Sequence, residues 1–69
     1  MKMTQVSSSN IESLGYNPDD RKLHVQFLNG NLYEYAEVPK ELFELMMAST
    51  SKGSFFHKEI KGNYPAKQI

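Results

Sequence analysis

Apolar and polar residues alternate most cleanly near the middle of the chain, where Leu23, Val25 and Phe27 are separated by His24 and Gln26. A period of two puts successive side chains on opposite faces, the pattern of a half-buried strand. Asn29-Gly30 follows, and then Leu32-Tyr33-Glu34-Tyr35, so this stretch predicts a β-hairpin. Loop length decides which side chains share a face. A two-residue turn at Asn29-Gly30 would pair Phe27 with Leu32 and set Val25 opposite Glu34. A three-residue loop, Leu28-Asn29-Gly30, pairs Val25 with Tyr33 and Leu23 with Tyr35, leaving His24, Gln26 and Glu34 on the other face. A one-residue slip exchanges the faces, so the cleaner segregation selects the three-residue loop, with Gly30 in the left-handed bulge conformation.

Upstream, residues 6–16 (VSSSNIESLGY) mix serine with Val6, Ile11, Leu14 and Tyr16 and predict a weaker first strand. The strand is closed by the turn signal Asn17-Pro18-Asp19-Asp20. Downstream, Val38-Pro39 ends the extended segment, because a residue before proline avoids the helical region. Proline in the first turn, with Glu41 and Glu44 near the positive end, predicts a helix over residues 40–49. Leu42, Leu45, Met46 and Ser49 form one stripe of it, and Phe43 and Met47 an adjoining one. One sheet face needs a single stripe, so the surplus at Phe43 and Met47 is expected to meet a second subunit.

After the small-residue loop Ser49-Thr50-Ser51-Lys52-Gly53, a second helix is expected from Ser54 to a stop at Gly62, with Phe56 and Ile60 facing inward. The expected fold is α+β: a three-stranded antiparallel meander followed by two short helices packed on one face, in β-β-β-α-α order. Residues 1–69 form one domain on this reading, with 1–5 and 65–69 as flexible tails.

A chain of 69 residues has marginal burial, and without cysteine it has neither disulfides nor thiolate metal sites to support it. A homo-oligomer is the remaining common support. Hydrophobic residues at 39% and aromatic residues at 12% suffice for a core, which argues against disorder. No run of about 18 apolar residues is present, and the N-terminal stretch lacks the apolar segment of a secretory signal. No membrane partner is expected, and the expected compartment is the cytoplasm.

The zero net charge conceals an uneven distribution. Residues 1–51 carry four basic and seven acidic groups, whereas residues 52–69 carry four lysines against Glu59 alone, giving −3 and +3. Helical spacing gathers Ser54, His57, Lys58 and Lys61 on one side, behind an entry loop Ser51-Lys52-Gly53-Ser54. Hydroxyls, free backbone N–H groups and a flanking lysine are the components of a phosphate-binding corner. The same residues also describe a capped helix with a solvated basic face. The order of a Walker loop is absent.

Phe27, Tyr33 and Tyr35 on adjacent strands could form a platform for stacking bases, or the core of a small domain. Phe55 precedes the inward Phe56 and is expected to point partly outward, where it could stack on a ligand or a second subunit; Tyr64 is similarly placed. His24 and His57 lack the spacing of a metal site, no nucleophile elbow is present, and the carboxylates are scattered. No catalytic residue, metal or cofactor is nominated, and the chain is expected not to be an enzyme.

Taken together, Ser8-Ser9-x-Ile11, Gly15-Tyr16, Leu23-x-Val25-x-Phe27-x-x-Gly30, Tyr33-x-Tyr35, Val38-Pro39 and Gly53-x-Phe55-Phe56-x-x-x-Ile60 resemble the KTSC domain family over nearly the whole chain. That family is named for the C-terminal domain of some lysyl-tRNA synthetases and includes free-standing small bacterial and phage proteins. The resemblance implies RNA binding. Where members of the family often carry asparagine and arginine, this chain has His57 and Lys61; lysine keeps the charge but lacks the bidentate fork of arginine.

The expected function is a non-catalytic binding module for RNA or a nucleotide, with Lys52, Gly53, Ser54, Phe55, His57, Lys58, Lys61 and Tyr64 as ligand-binding residues. One alternative is a small oligomeric phage protein that sequesters a cyclic nucleotide signal, since a compact basic corner suits a small ligand better than a long RNA. Another is a protein-interaction module docking through Phe43, Met47 and Phe55.

Overall fold

The computed structural model describes residues 2–69. Five antiparallel strands form one sheet in chain order: β1 (Met3–Gln5), β2 (Ile11–Asn17), β3 (Lys22–Phe27), β4 (Leu32–Tyr35) and β5 (Ala66–Gln68). Between β4 and β5 lie helix α1 (Lys40–Ala48) and helix α2 (Lys52–Phe55), which runs on as a π-helical turn over Phe56–Ile60. The α+β architecture with an antiparallel sheet and two helices is as expected, but the sheet has five strands rather than three. Residues 6–16 are not one strand: β2 begins only at Ile11, and a loop separates it from β1. Both additional strands fall in the stretches expected as flexible tails, of which Met1 lies outside the described residues. Met3-Thr4-Gln5 and Ala66-Lys67-Gln68 have no apolar alternation because each is an edge strand, held by backbone pairing to β2 and β4.

The central hairpin adopts the three-residue-loop register: Leu23 opposes Tyr35, Val25 opposes Tyr33 and His24 opposes Glu34. Gly30 takes φ +96°, and its N–H donates to the Phe27 carbonyl at 3.0 Å. Between β2 and β3 the Asn17 carboxamide accepts from the Asp19 N–H at 3.0 Å, and Arg21 takes the left-handed conformation. In β2 the register shifts between Ile11 and Ser13, so Glu12 is an extra residue. This bulge lets Ile11 and Leu14, three apart, both enter the core.

The core lies between one sheet face and the helices. Ile11, Leu14, Leu23, Val25 and Tyr35 from the sheet meet Val38, Met46, Phe56 and Ile60. Phe56 and Ile60 thus face inward as expected. Phe27 and Tyr35 meet the Phe56 ring edge-on, with centroids 5.5 and 5.4 Å away, and Tyr33 packs against the same cluster. The aromatic strand residues are therefore core rather than an open stacking platform.

Helix α1 departs from expectation at both ends and on one face. Pro39 is its extended N-cap (φ −66°, ψ 146°) rather than part of the first turn, and the helix stops at Ala48. Of the expected inner stripe only Met46 is buried; Leu45 is 60% exposed. The adjoining stripe is engaged within the chain. Phe43 stacks on Tyr16 at 4.9 Å, Met47 packs against the core, and the Tyr16 hydroxyl donates to the Val38 carbonyl. Phe43 and Met47, expected at a subunit interface, are thus largely covered by their own fold; Leu45 is the exposed large apolar residue of this helix.

Candidate functional site

Two loops from distant parts of the sequence face each other beside α2. The first joins β1 to β2. The Val6 N–H donates to the Glu12 carbonyl at 3.0 Å, closing its base. Within it Ser8 Oγ donates to Asn10 Oδ1 at 3.2 Å and accepts from the N–H groups of Asn10 and Ile11, each at 3.4 Å. The second loop joins α1 to α2. Here Ser49 Oγ accepts from the Ser51 N–H at 3.2 Å and donates to the Ser51 carbonyl at 3.1 Å, while Lys52 Nζ donates to the Ser49 carbonyl at 2.9 Å. Lys52 thereby satisfies a carbonyl at the end of α1 and retains two ammonium protons for another partner.

The loops come closest at Gly53. A methyl group built there would lie 2.9 Å from Asn10 Oδ1 and 3.3 Å from Ser8 Oγ, so the absence of a side chain permits this approach. Around the contact opens a cleft of about 520 Å³ lined by residues 7–10, residues 50–54 and His57. Its lining consists of hydroxyls, one carboxamide, the Lys52 ammonium and the His57 imidazole, with no carboxylate. At the start of a helix the first N–H groups have no acceptor in the preceding turn, and the Ser51 side chain makes no capping bond to them.

A second cleft of about 220 Å³ adjoins the first and shares Ser51 and Ser54 with it. Its remaining lining is Ser49, Phe55, Lys58 and Glu59, which gives it an aromatic wall and one group of each charge.

The expected ligand residues are therefore divided. Helix α2 starts at Lys52, two residues before the expected Ser54, so Lys52, Gly53 and Ser54 form its first turn. Lys52, Gly53, Ser54 and His57 line the larger cleft, while Phe55 and Lys58 line the smaller, with Ser54 common to both. Lys61 and Tyr64 line neither; Lys61 is exposed, and Tyr64 is half-buried against the core. The π turn accounts for part of this separation. The Lys61 N–H bonds to the Phe56 carbonyl at 2.9 Å, five residues back, so the regular helical spacing that would align Ser54, His57, Lys58 and Lys61 is broken. The pattern did not nominate Ser7, Ser8, Ser9 and Asn10 as site residues. A run of three serines and an asparagine signals a loop, but nothing local to it indicates that Gly53 lies opposite.

The sheet face turned away from the helices carries a separate charge cluster. Glu34 is bonded by His24 Nε2 at 2.9 Å and approached by Lys22 and Lys67 Nζ, each at 3.6 Å. The His24 hydrogen bond, more than the lysine charges, holds the Glu34 carboxyl below its ordinary range. Burial raises the Tyr16 and Tyr35 phenols, which keeps the Tyr16 hydroxyl protonated as the donor to the Val38 carbonyl. Among the described residues no group of three histidine or carboxylate side chains could hold a metal ion. Among the described residues no helix is long and apolar enough to cross a membrane.

Comparison with known proteins places this geometry in a family. The crystal structure of a KTSC domain protein from Yersinia pestis superposes with a TM-score of 0.94 at 42% identity, over 99% of this chain and 96% of that one. A protein of Stutzerimonas stutzeri is 38% identical over 61 residues, 88% of this chain and 86% of its own length. The lysine–tRNA ligase of a Nostoc species is 38% identical over 59 residues, 86% of this chain; the matched segment is only 10% of the ligase. The family model for the KTSC domain matches residues 7–64, from the first loop of the larger cleft to Tyr64, and the chain belongs to the KTSC domain family.

Proposed function

We propose that this chain is a non-catalytic binding module whose larger cleft takes the phosphate of an RNA or a nucleotide. The observation that carries the reading is the cleft lining: Lys52, His57 and an array of hydroxyls, with no carboxylate to repel an anion. A phosphate accepts hydrogen bonds at several oxygens, and serine hydroxyls, backbone N–H groups and an ammonium supply donors from both walls. The seven acidic groups of residues 1–51 include none that line the cleft, so the local field is more positive than the zero net charge suggests. Kinship with a segment of lysine–tRNA ligases supports RNA as one source of that phosphate.

Thermal denaturation of the full chain against inorganic phosphate, mononucleotides, cyclic dinucleotides and short RNAs tests the proposal. A ligand that binds only the folded state raises Tm by mass action, the more so the further its concentration exceeds its Kd. At least one phosphate-bearing probe should raise Tm, and the rise should shrink in Lys52→Met and His57→Ala. Unchanged Tm with every probe, or an undiminished rise in both variants, would overturn the reading.

A further inference from the structure

The phosphate reading rests on the larger cleft alone, yet the smaller one opens from the same two serines. Resting on the phosphate reading of the larger cleft, we propose that the pair of clefts is a site for one nucleotide unit. The phosphate lies toward Lys52 and His57, and the base lies against Phe55.

Three features support this assignment. The first is size. Clefts of about 520 and 220 Å³ share a rim at Ser51 and Ser54, and only together do they make a continuous space within the roughly 300–1,000 Å³ common for small-ligand sites that has room beyond the phosphate. A phosphate and a base joined by one ribose can occupy both across that rim. The second is electrostatic sorting. The larger cleft has cationic donors and no carboxylate, whereas in the smaller Glu59 offsets Lys58. A dianionic phosphate is drawn to the first. A neutral base is admitted to the second, where the Glu59 carboxylate accepts from base N–H groups. The third is the aromatic wall. Phe55, like Phe27 and Tyr33, packs partly against the core, but unlike Phe27, Tyr33 and Tyr35 it also lines a cleft beside the cationic one, where the rest of its ring can meet a ligand. Single strands of several nucleotides are tracked by successive aromatic platforms along a basic groove. One ring beside one cationic cleft suits a single unit, whether a free nucleotide or the phosphorylated end of a strand.

Calorimetric titration of the full chain with a panel of mononucleotides, with ribose 5-phosphate, and with a short RNA bearing or lacking a terminal phosphate tests the assignment. Base stacking on an aromatic side chain contributes about 1–3 kcal/mol, so the best mononucleotide should bind roughly 5- to 150-fold more tightly than ribose 5-phosphate. Phe55→Leu, which keeps an apolar side chain without a ring face, should remove most of that advantage and leave ribose 5-phosphate affinity unchanged. Free-nucleotide and strand-end sources differ in one comparison. Tighter binding of the phosphorylated RNA than of the mononucleotide identifies the strand end, and the reverse identifies the free nucleotide. Equal affinity for ribose 5-phosphate and every mononucleotide, or a full advantage retained in Phe55→Leu, overturns the base assignment while the phosphate reading stands. Equal binding of the RNA with and without its terminal phosphate, with no mononucleotide binding, does the same. Absence of binding by every phosphorylated probe overturns both.

Discussion

Replacing Gly53 by alanine should separate the stability of this domain from the integrity of its larger cleft. Gly53 is the second residue of α2 and lies outside the left-handed region, so a methyl group meets no backbone penalty there. In a helix interior alanine is favoured over glycine by about 1 kcal/mol, and less at a helix end. Opposing this, the methyl carbon would lie 2.9 Å from Asn10 Oδ1 and 3.3 Å from Ser8 Oγ. These are side-chain atoms on an exposed loop and can retreat, but only by breaking the 3.2 Å bond between them and the two 3.4 Å backbone bonds to Ser8 Oγ. Such long bonds rank at the low end of the ~0.5–1.5 kcal/mol net value of a hydrogen bond, so their combined loss is on the order of 1 kcal/mol. The two effects nearly cancel. Tm should move by less than about 8 °C in either direction. The backbone amide resonances of residues 8–11 should nevertheless shift, and phosphate-ligand affinity should fall. A loss of more than about 3 kcal/mol would refute the claim that the loop yields, because only a rigid wall could exact it. Unchanged amide resonances for Ser8 and Asn10 would refute the contact itself.

Three further outcomes follow from other parts of the molecule. Glu34 has its carboxyl pKa lowered in the folded state, so it stabilises the fold above the unfolded carboxylate pKa and loses that contribution as pH falls through the folded value; Tm measured from pH 7 to pH 3 should decline more shallowly in Glu34→Gln, and parallel profiles would refute the coupling. Tyr16→Phe keeps the ring stacked on Phe43 but removes the donor to the Val38 carbonyl; urea denaturation should show a loss of about 0.5–1.5 kcal/mol, and a neutral result would show that the bond contributes nothing net. Ile60 is fully buried at the end of the π turn, so Ile60→Ala should cost about 2–5 kcal/mol, enough to unfold much of a domain this small by circular dichroism at 37 °C.

What the sequence disclosed depended on whether the relevant information was local. The hairpin register was legible because Leu23, Val25, Tyr33 and Tyr35 segregate cleanly in one alignment only, and the observed pairs are those of that alignment. The inward positions of Phe56 and Ile60 were legible from their four-residue spacing, which survives the change from α to π geometry. Face assignments on α1 failed because its apolar residues exceed one stripe. With two stripes available, periodicity cannot select the buried one, and Tyr16, 27 residues before Phe43, supplies the ring that engages the second. The edge strands were not legible because they are held by backbone pairing and, in β5, by polar side chains such as Lys67 on Glu34, none of which leaves a hydrophobic signature.

The missed strand and the missed half of the site have one physical origin. Residues 7–10 could be read as part of a strand only while β1 went unrecognised. Once Met3, Thr4 and Gln5 pair with Gly15, Leu14 and Ser13, the chain must reverse before Ile11, and the serines become the reversal. The bulge at Glu12 then holds Ile11 in the core, and the Leu28 N–H bonds to the Asn10 carbonyl at 2.9 Å, anchoring the far end of the loop to the neighbouring turn. A loop pinned at both ends brings Ser8 and Asn10 up to α2, which makes its close approach to them at the one residue of its first turn without a side chain, Gly53. The basic segment visible in the sequence is therefore one wall of the larger cleft. The other wall comes from the acidic half of the chain, but from a stretch of it whose cleft-lining residues carry no charge. Charge counting along the sequence locates the lysine and histidine that would attract an anion. Topology supplies the hydroxyls that would hold it.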